Sequence, residues 1–272
     1  MTRLTENDIT DIGTAWTDYE RRLHAVTGCG LFELAAGALG LDPARARRET
    51  QGLRVGAIPV SSGEGIIGGF AASLASIATH LGFEAEVLPP DAEGFRLARG
   101  YDLFIWADDD TYLAENPRTG GVSENGRATG RGFAAALLRM AQGRPGEKRA
   151  LVLGAGPVGR AGAETLARAG YTTFICDLDR DKAGRACAAL PGCVPCVPED
   201  LPTLPRFGLV LDAAPTDRCF PLDRLAPEAR IAAPCVPCPW PGRIPADARL
   251  WHDPLELGTA VMLLEAACLA RA

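Results

Sequence analysis

The sequence predicts an α/β protein in two successive parts: a helical N-terminus followed by an α/β segment, then a doubly wound parallel-sheet segment. Three observations carry that reading. Apolar runs of strand length alternate with apolar stripes of helical period from residue 54 to the C-terminal region. "GRPGEKR" (143–149) interrupts the alternation with the glycine, proline and charge of a linker. A Gly-x-Gly-x-x-Gly turn occurs once in each part, as Gly63-x-Gly65-x-x-Gly68 and Gly154-x-Gly156-x-x-Gly159.

The elements follow in order. Ile9, Ile12 and Trp16, then Leu31, Leu34 and Ala35, give the first fifty residues a helical spacing, and Thr5-x-x-Asp8 is a capping-box pattern. "RVGAIPV" (54–60) is a buried strand, "GFAASLASIATHLG" a helix and "FEAEVLPP" the next strand. "YDLFIWADDD" (101–110) is a strand ending in three acids, and "GRGFAAALLRMAQ" is a helix. After the linker, strand "ALVLGAG", helix "GRAGAETLARAG", strand "YTTFICD" and helix "RDKAGRACAAL" precede short strands at "CVPCV", "GLVLDAA" and "RIAAPCV". The expected division is 1–147 and 148–272, with the Ala/Leu-rich helix at 257–272 packing back across the junction.

Composition narrows the function. Hydrophobic residues are 47% and charged residues 23%, as in globular proteins, and a net charge of −6 offers no basic stripe to nucleic acid. The polar start lacks a secretory apolar run, and no stretch reaches a membrane span, so the expectation is a cytoplasmic protein with no membrane partner. The odd number of cysteines, nine, then reads as reduced thiols. Lys148 and Lys182 are the only lysines, so the first part has none.

The second glycine turn meets the conditions of a dinucleotide site. A strand precedes it and a helix follows it, whose amides and dipole face phosphates. Gly156 lets backbone approach a pyrophosphate and Gly159 allows close packing. Strand "TTFICD" ends in Asp177, 23 positions past Gly154, where a carboxylate can hold ribose hydroxyls. The cofactor expected in this Rossmann-type part is therefore NAD, because Asp177 would repel a 2′-phosphate; Arg180 nearby keeps NADP open.

The first turn lacks such an acid until Asp91, beyond two prolines, and Glu64 would repel a pyrophosphate. Its amides and the Ser61 and Ser62 hydroxyls suit a substrate carboxylate, with a tight turn that binds nothing as the alternative. If the strand continues through "ADDDT" (107–111), Asp108 and Asp110 face one way and Asp109 the other. Such an acid can hold a cationic amine or take its proton, unless it is merely a solvated turn. Many two-part dehydrogenases use a lysine in the substrate part; here that is excluded unless Lys148 or Lys182 reaches in. His24, His80 and His252 are isolated and read as packing or surface residues.

Cys193-x-x-Cys196 and Cys235-x-x-Cys238 together suggest a zinc site, but the usual 3-2-1-4-5-6 strand order separates them by about 19 Å at ~4.8 Å per strand. No metal is expected, and both pairs read as small packing residues.

"IPVSSGEGIIGGFAASL" and "WADDDTYLAEN", with "AVTG" (25–28), "GAGPVGRAGAE" (154–164) and "LGTAVML" (257–263), resemble the PylD family of pyrrolysine biosynthesis proteins. The likeness is dense over 52–117 and 150–177 and thin over 180–250. The Cys193 motif, Glu64 and Glu256 depart from the family's pattern. The resemblance implies NAD-dependent oxidation of the terminal ornithine amine of lysine-Nε-3-methyl-D-ornithine, loss of ammonia and closure of a pyrroline ring. It assigns the cleft acid to Asp108 and the substrate wall to Ser61, Ser62, Gly63, Gly65, Ile67 and Phe70, with Leu4 and Thr5 as cover. It places Gly154, Gly156, Pro157, Val158, Gly159, Asp177, Ala214, Pro215, Gly258 and Thr259 around NAD. Alternatives are another NAD-dependent dehydrogenase of a small amine or hydroxy acid, or a non-catalytic NAD-binding sensor; a homodimer stays open.

Overall fold

A computed structural model describes residues 4–63, 66–143, 148–214 and 220–269. The chain begins with four helices, α1 (Glu6–Ile9), α2 (Trp16–Thr27), α3 (Leu31–Ala38) and α4 (Pro43–Thr50). Then come β1 (Arg54–Ile58), α5 (Phe70–His80), β2 (Glu84–Val87), α6 (Asp91–Ala98), β3 (Leu103–Ala107), β4 (Tyr112–Asn116), β5 (Gly121–Glu124) and α7 (Asn125–Met140). The remainder is β6 (Arg149–Leu153), α8 (Pro157–Arg168), β7 (Thr172–Cys176), α9 (Arg180–Cys187), β8 (Cys193–Cys196), β9 (Phe207–Asp212), β10 (Leu225–Ala232), β11 (Arg249–Trp251) and α10 (Glu256–Cys268).

Two sheets result. The first has the order β2-β1-β3-β4-β5, parallel through β3 and antiparallel beyond it. The second is wholly parallel, β11-β10-β9-β6-β7-β8, which is the doubly wound 3-2-1-4-5-6 order with β6 as strand one. Side chains alternate across it: Ala150 and Val152 join the core shared with the helices, and Leu151 joins a second core with Phe174, Phe207 and Trp240.

The "YDLFIWADDD" strand is shorter than expected. β3 stops at Ala107 because Asp108 Oδ1 accepts from the amides of Asp110 (2.9 Å) and Thr111 (2.7 Å), closing a turn into β4. The alternation expected of Asp108, Asp109 and Asp110 therefore does not apply. β4, β5 and β11 lie in stretches whose patterning is too short or too polar to read as strands.

The thiol expectation needs one correction. A disulfide joins Cys187, at the end of α9, to Cys193, at the start of β8. The turn between them brings the two Cα atoms to 5.1 Å, within bridging range. Cys219 lies outside the described residues. The two Cys-x-x-Cys pairs belong to β8 and to the end of β10, four strands apart in the observed order. Among the described residues no helix is long and apolar enough to cross a membrane.

Two helices join the sheets. α10 is buried along nearly all of its length and packs on α3, α4, α5, α7, β4 and β5. Each fully buried Leu or Val on it stabilises the fold by about 1.5–3 kcal/mol. Glu265 on α10 accepts from Arg131 of α7 (2.6 Å) and Ser123 of β5 (2.6 Å). α7 in turn meets α8 backbone to backbone. A Cβ on Gly130 would overlap the Val158 carbonyl oxygen and stand 2.9 Å from Ala161 Cβ, and one on Gly126 would stand 2.7 Å from Pro157 Cβ.

Gly130→Ala should therefore lower stability by roughly 1–3 kcal/mol, because backbone must shift to admit one methyl group. Gly184→Ala on α9, whose Cβ would meet nothing within 4 Å, should instead raise it by about 0.5–1 kcal/mol. Chemical denaturation of the two variants beside wild type checks the opposite signs.

Candidate functional site

The turn after β6 is built by its three glycines, each for a different reason. Gly154 has φ +91°, in the region glycine tolerates, and a Cβ there would stand 2.9 Å from the Ala213 carbonyl oxygen. Gly159 packs so closely that a Cβ would overlap the carbonyl oxygen of Gly154. Gly156 is the N-cap of α8 and its Cβ position is open, so the α8 amides can be approached there. Pro157 and Val158 open the helix and carry the contact with α7.

Asp177 follows β7 and its side chain is 13% exposed. Its Oδ2 accepts from the Ala155 amide (2.7 Å), inside the glycine turn, and its Oδ1 from the Asp179 amide (3.0 Å). Burial raises this carboxyl, but the two amides and Lys182, 3.6 Å away, hold it below the ordinary aspartate value. Arg180 is paired with Asp200, whose oxygens lie 3.1 and 3.2 Å from it. Leu178 is 77% exposed and offers an apolar face beside the acid. Sequence reading missed both Lys182 and Leu178; the exposed apolar residue next to Asp177 was the available signal.

The other glycine turn follows β1. The Ser61 amide (2.9 Å) and hydroxyl both donate to Asp91, which holds the Asp91 carboxyl below its usual value. Asp91 thus fixes the loop, and Ser62 and Gly63 follow it, exposed. A Cβ on Gly63 would stand 2.9 Å from Asp109 Oδ2, so this loop and the acidic turn touch. Asp108, also exposed, holds that turn by one oxygen. Glu64 and Gly65 lie outside the described residues.

The cover is short. Thr5 caps α1 with Asp8, its amide and hydroxyl each 2.7 Å from Asp8 Oδ2, and Leu4 packs half-buried on the core. From α1, Glu6 accepts the Gly68 amide (3.1 Å), tying the helix to the loop. Ile67 is half-buried, and the Phe70 ring meets Tyr112 edge-on at 5.6 Å.

The strand register brings the two loops to one side. Ala107 pairs with Tyr112 and Leu113 with Glu124, so β3 ends, β4 begins and α7 begins at one sheet edge. Glu124 caps α7 by accepting the amides of Gly126 and Arg127, and Gly126 touches Pro157 beside the second glycine turn. Tyr112 Oη lies 2.6 Å from Thr259 Oγ1. Thr259 is fully buried and donates to Leu255 O, while Gly258 is buried against Thr129. Ala214, whose amide donates to Asp212 (3.2 Å), follows β9; Pro215 lies outside the described residues.

Beneath α10 sits a buried acid pair. Asp253 accepts from Tyr19 Oη (3.2 Å), Trp251 Nε1 (3.1 Å) and the Leu257 amide (3.2 Å). Beside it, burial first and the Asp253 charge second push Glu256 up to about 8. His80 fits its expected packing role, stacked on Trp16 at 3.9 Å and bonded to Glu20. His252 is not isolated: it bonds the Ala233 carbonyl oxygen at 2.7 Å and lies beside the Cys238 side chain. A groove of about 540 Å³ lined by Phe95, Arg99, Phe104 and Asn116 contains none of the predicted site residues.

With this geometry, similarity becomes specific. Residues 8–123 match the family described as pyrrolysine biosynthesis protein PylD, N-terminal domain. The chain is 30% identical over 268 residues to pyrrolysine synthase of Methanosarcina barkeri, covering 97% of both chains. It is equally identical to pyrrolysine synthase of Methanosarcina acetivorans, covering 97% of this chain and 98% of the relative. Among solved structures, quinate dehydrogenase from Corynebacterium glutamicum in complex with NAD superposes with a TM-score of 0.54 at 12% identity, over 80% of this chain and 94% of that one. Shikimate dehydrogenase from Aquifex aeolicus gives 0.52 at 14% identity, over 82% and 94%. These two share the fold.

The Glu256 environment has a pH consequence. Unfolded, this carboxyl titrates near 4.5, and folded near 8. Between those values the unfolded chain releases a proton that the folded chain keeps, so this group's stabilisation is complete below about 4.5 and is lost as pH rises through 8. Glu256→Gln should leave the melting temperature at pH 4.5 near that of wild type and raise stability at pH 8 by roughly 1–3 kcal/mol. Thermal melts across that range measure the difference in slope.

Proposed function

The chain belongs to the PylD family of pyrrolysine biosynthesis proteins, and on that premise we propose that it is an NAD-dependent dehydrogenase of a CH–NH2 group. The proposed substrate is lysine-Nε-3-methyl-D-ornithine. Its terminal ornithine amine is oxidised to an imine, which loses ammonia to give a semialdehyde; condensation with the neighbouring α-amine closes the pyrroline ring. The observations that most support this reading are the complete glycine turn after β6, bonded to Asp177, and the contact of the first glycine turn with an acidic turn that has no lysine near it in sequence.

The second turn fits a dinucleotide: the open Gly156 position leaves the α8 N-terminus to the phosphates, and Asp177 stands at the end of β7 for the ribose. NAD supplies a hydride acceptor when bound. The rest falls to the chain's own residues. An ammonium cannot yield hydride readily, because no lone pair is free to form the C=N bond. Asp108 is the proposed group that holds the cation and takes its proton. Asp109 adds negative charge at the mouth, and Ser62 with the Gly63 backbone lines the wall. Arginine in place of lysine removes a primary amine that could condense with the semialdehyde product.

Two measurements test this. NAD should bind much more tightly than NADP, and Asp177→Ala should narrow the difference; equal affinities in wild type would remove the ribose role. Asp108→Asn keeps an oxygen to hold the turn but removes the charge. NAD affinity and melting temperature should stay near wild type while turnover of the ornithyl-lysine falls by roughly 10²–10⁴-fold. Turnover within a few-fold of wild type would move the role to Asp109 or Asp110. NAD binding without turnover by wild type would favour a sensor.

A further inference from the structure

The proposed chemistry makes no use of the turn after β10, where the chain runs Cys235-Val236-Pro237-Cys238. Cys235 is 3% exposed and Cys238 is half-buried, within reach of small molecules. The two side chains lie close enough for each to shift the other's titration. Cys238 also lies beside the His252 ring. The ring is held from its other side, because Nδ1–H donates to the Ala233 carbonyl oxygen at 2.7 Å. Behind the pair, Cys235 lies beside Asp212, whose carboxylate accepts from Trp240 Nε1 (2.6 Å) and the Ala214 amide (3.2 Å). One cysteine is therefore partly exposed beside an imidazole, and the second, three positions away in the same turn, is buried.

That arrangement separates two roles. Donors around Cys238 favour its thiolate, the nucleophilic form. The neighbouring Cys235 and the His252 imidazole bring Cys238 down to about 5. Burial lowers the His252 value, but the thiolate beside it outweighs that and holds it up to about 9. Cys235 is shifted the opposite way, upward, chiefly by the neighbouring Cys238 and by burial. Among the described residues no group of three or more His, Cys, Asp or Glu side chains is arranged to hold a metal ion.

We infer that Cys235 and Cys238 are a redox pair that a low-molecular-weight disulfide oxidises, with Cys238 the attacking sulfur and Cys235 the resolving one. The Cys238 thiolate attacks the small disulfide, forming a mixed disulfide and expelling one thiolate. Cys235 then gives up its proton and attacks the Cys238 sulfur, expelling the second thiolate. Two protein thiols are oxidised and the small disulfide is reduced to two thiols, so electrons and protons balance.

The probe is oxidised glutathione on the full-length protein, read by peptide mass spectrometry. Wild type should yield a Cys235–Cys238 linkage, and Cys235→Ser should instead accumulate glutathione on Cys238. In the Cys235→Ser background, which isolates the attacking sulfur, iodoacetamide should label Cys238 readily at pH 6. Adding His252→Gln should slow that labelling by at least about tenfold, the change in thiolate fraction for one pKa unit. Melting curves of each variant confirm that folding is retained; should His252→Gln not fold, the wild-type linkage and the Cys235→Ser adduct decide alone. A folded wild-type protein that forms no Cys235–Cys238 linkage would overturn the inference. So would a Cys235→Ser protein that takes glutathione on its other thiols and not on Cys238.

Discussion

The contact on which the rest of the arrangement depends is the one between α7 and α8 at Gly130. There the Val158 carbonyl oxygen and the Gly162 amide occupy the space a side chain would need. Small residues let two helices approach until backbone meets backbone, and the second glycine turn leads directly into α8. α7 begins where the first sheet ends, held by the Glu124 cap. The start of α7 thus touches the start of α8, which follows the second glycine turn. α10 reinforces the same joint, with Glu265 bridging Arg131 and Ser123 and Thr259 bonded to Tyr112.

Carboxylates do most of the local positioning around this joint. Asp91 holds Ser61, Asp108 closes the hairpin turn, Asp179 caps α9 through the amides of Asp181 and Lys182, and Asp253 meets the first turn of α10. An oxygen acceptor can satisfy two amides at once, which suits turns and helix starts. Of these groups Asp108 and Asp179 are also exposed. Asp108 illustrates the overlap: one oxygen shapes the turn, and its charge is what the proposed chemistry requires.

Much of the site was legible because its signals are local. The strand, glycine turn, helix and acid at Asp177 lie within one short stretch, and each answers a short-range demand: positive φ at Gly154, close packing at Gly159, an exposed helix N-terminus. The strand order of the second sheet followed from the parallel alternation and in turn separated the two Cys-x-x-Cys pairs. Less legible were β4 and β5, whose sequences carry turn and polar residues and whose pairing is set by neighbouring strands. The assumption that "ADDDT" continues a strand failed because the Asp108 side chain competes for backbone amides, an effect that periodicity does not register.

By itself, then, the sequence determined the α/β class, the glycine turn with its acid, and the absence of lysine from the first part. Only the tertiary structure decided that Asp109 touches Gly63, that Arg180 pairs with Asp200, and that His252 stands beside Cys238. It also decided that Glu256 lies against a second buried acid. The physical reason is range. Backbone conformation, capping and amphipathic period are decided over a few residues, whereas the partner of a charge or thiol is set by elements far apart in the chain that meet only after the helices have packed.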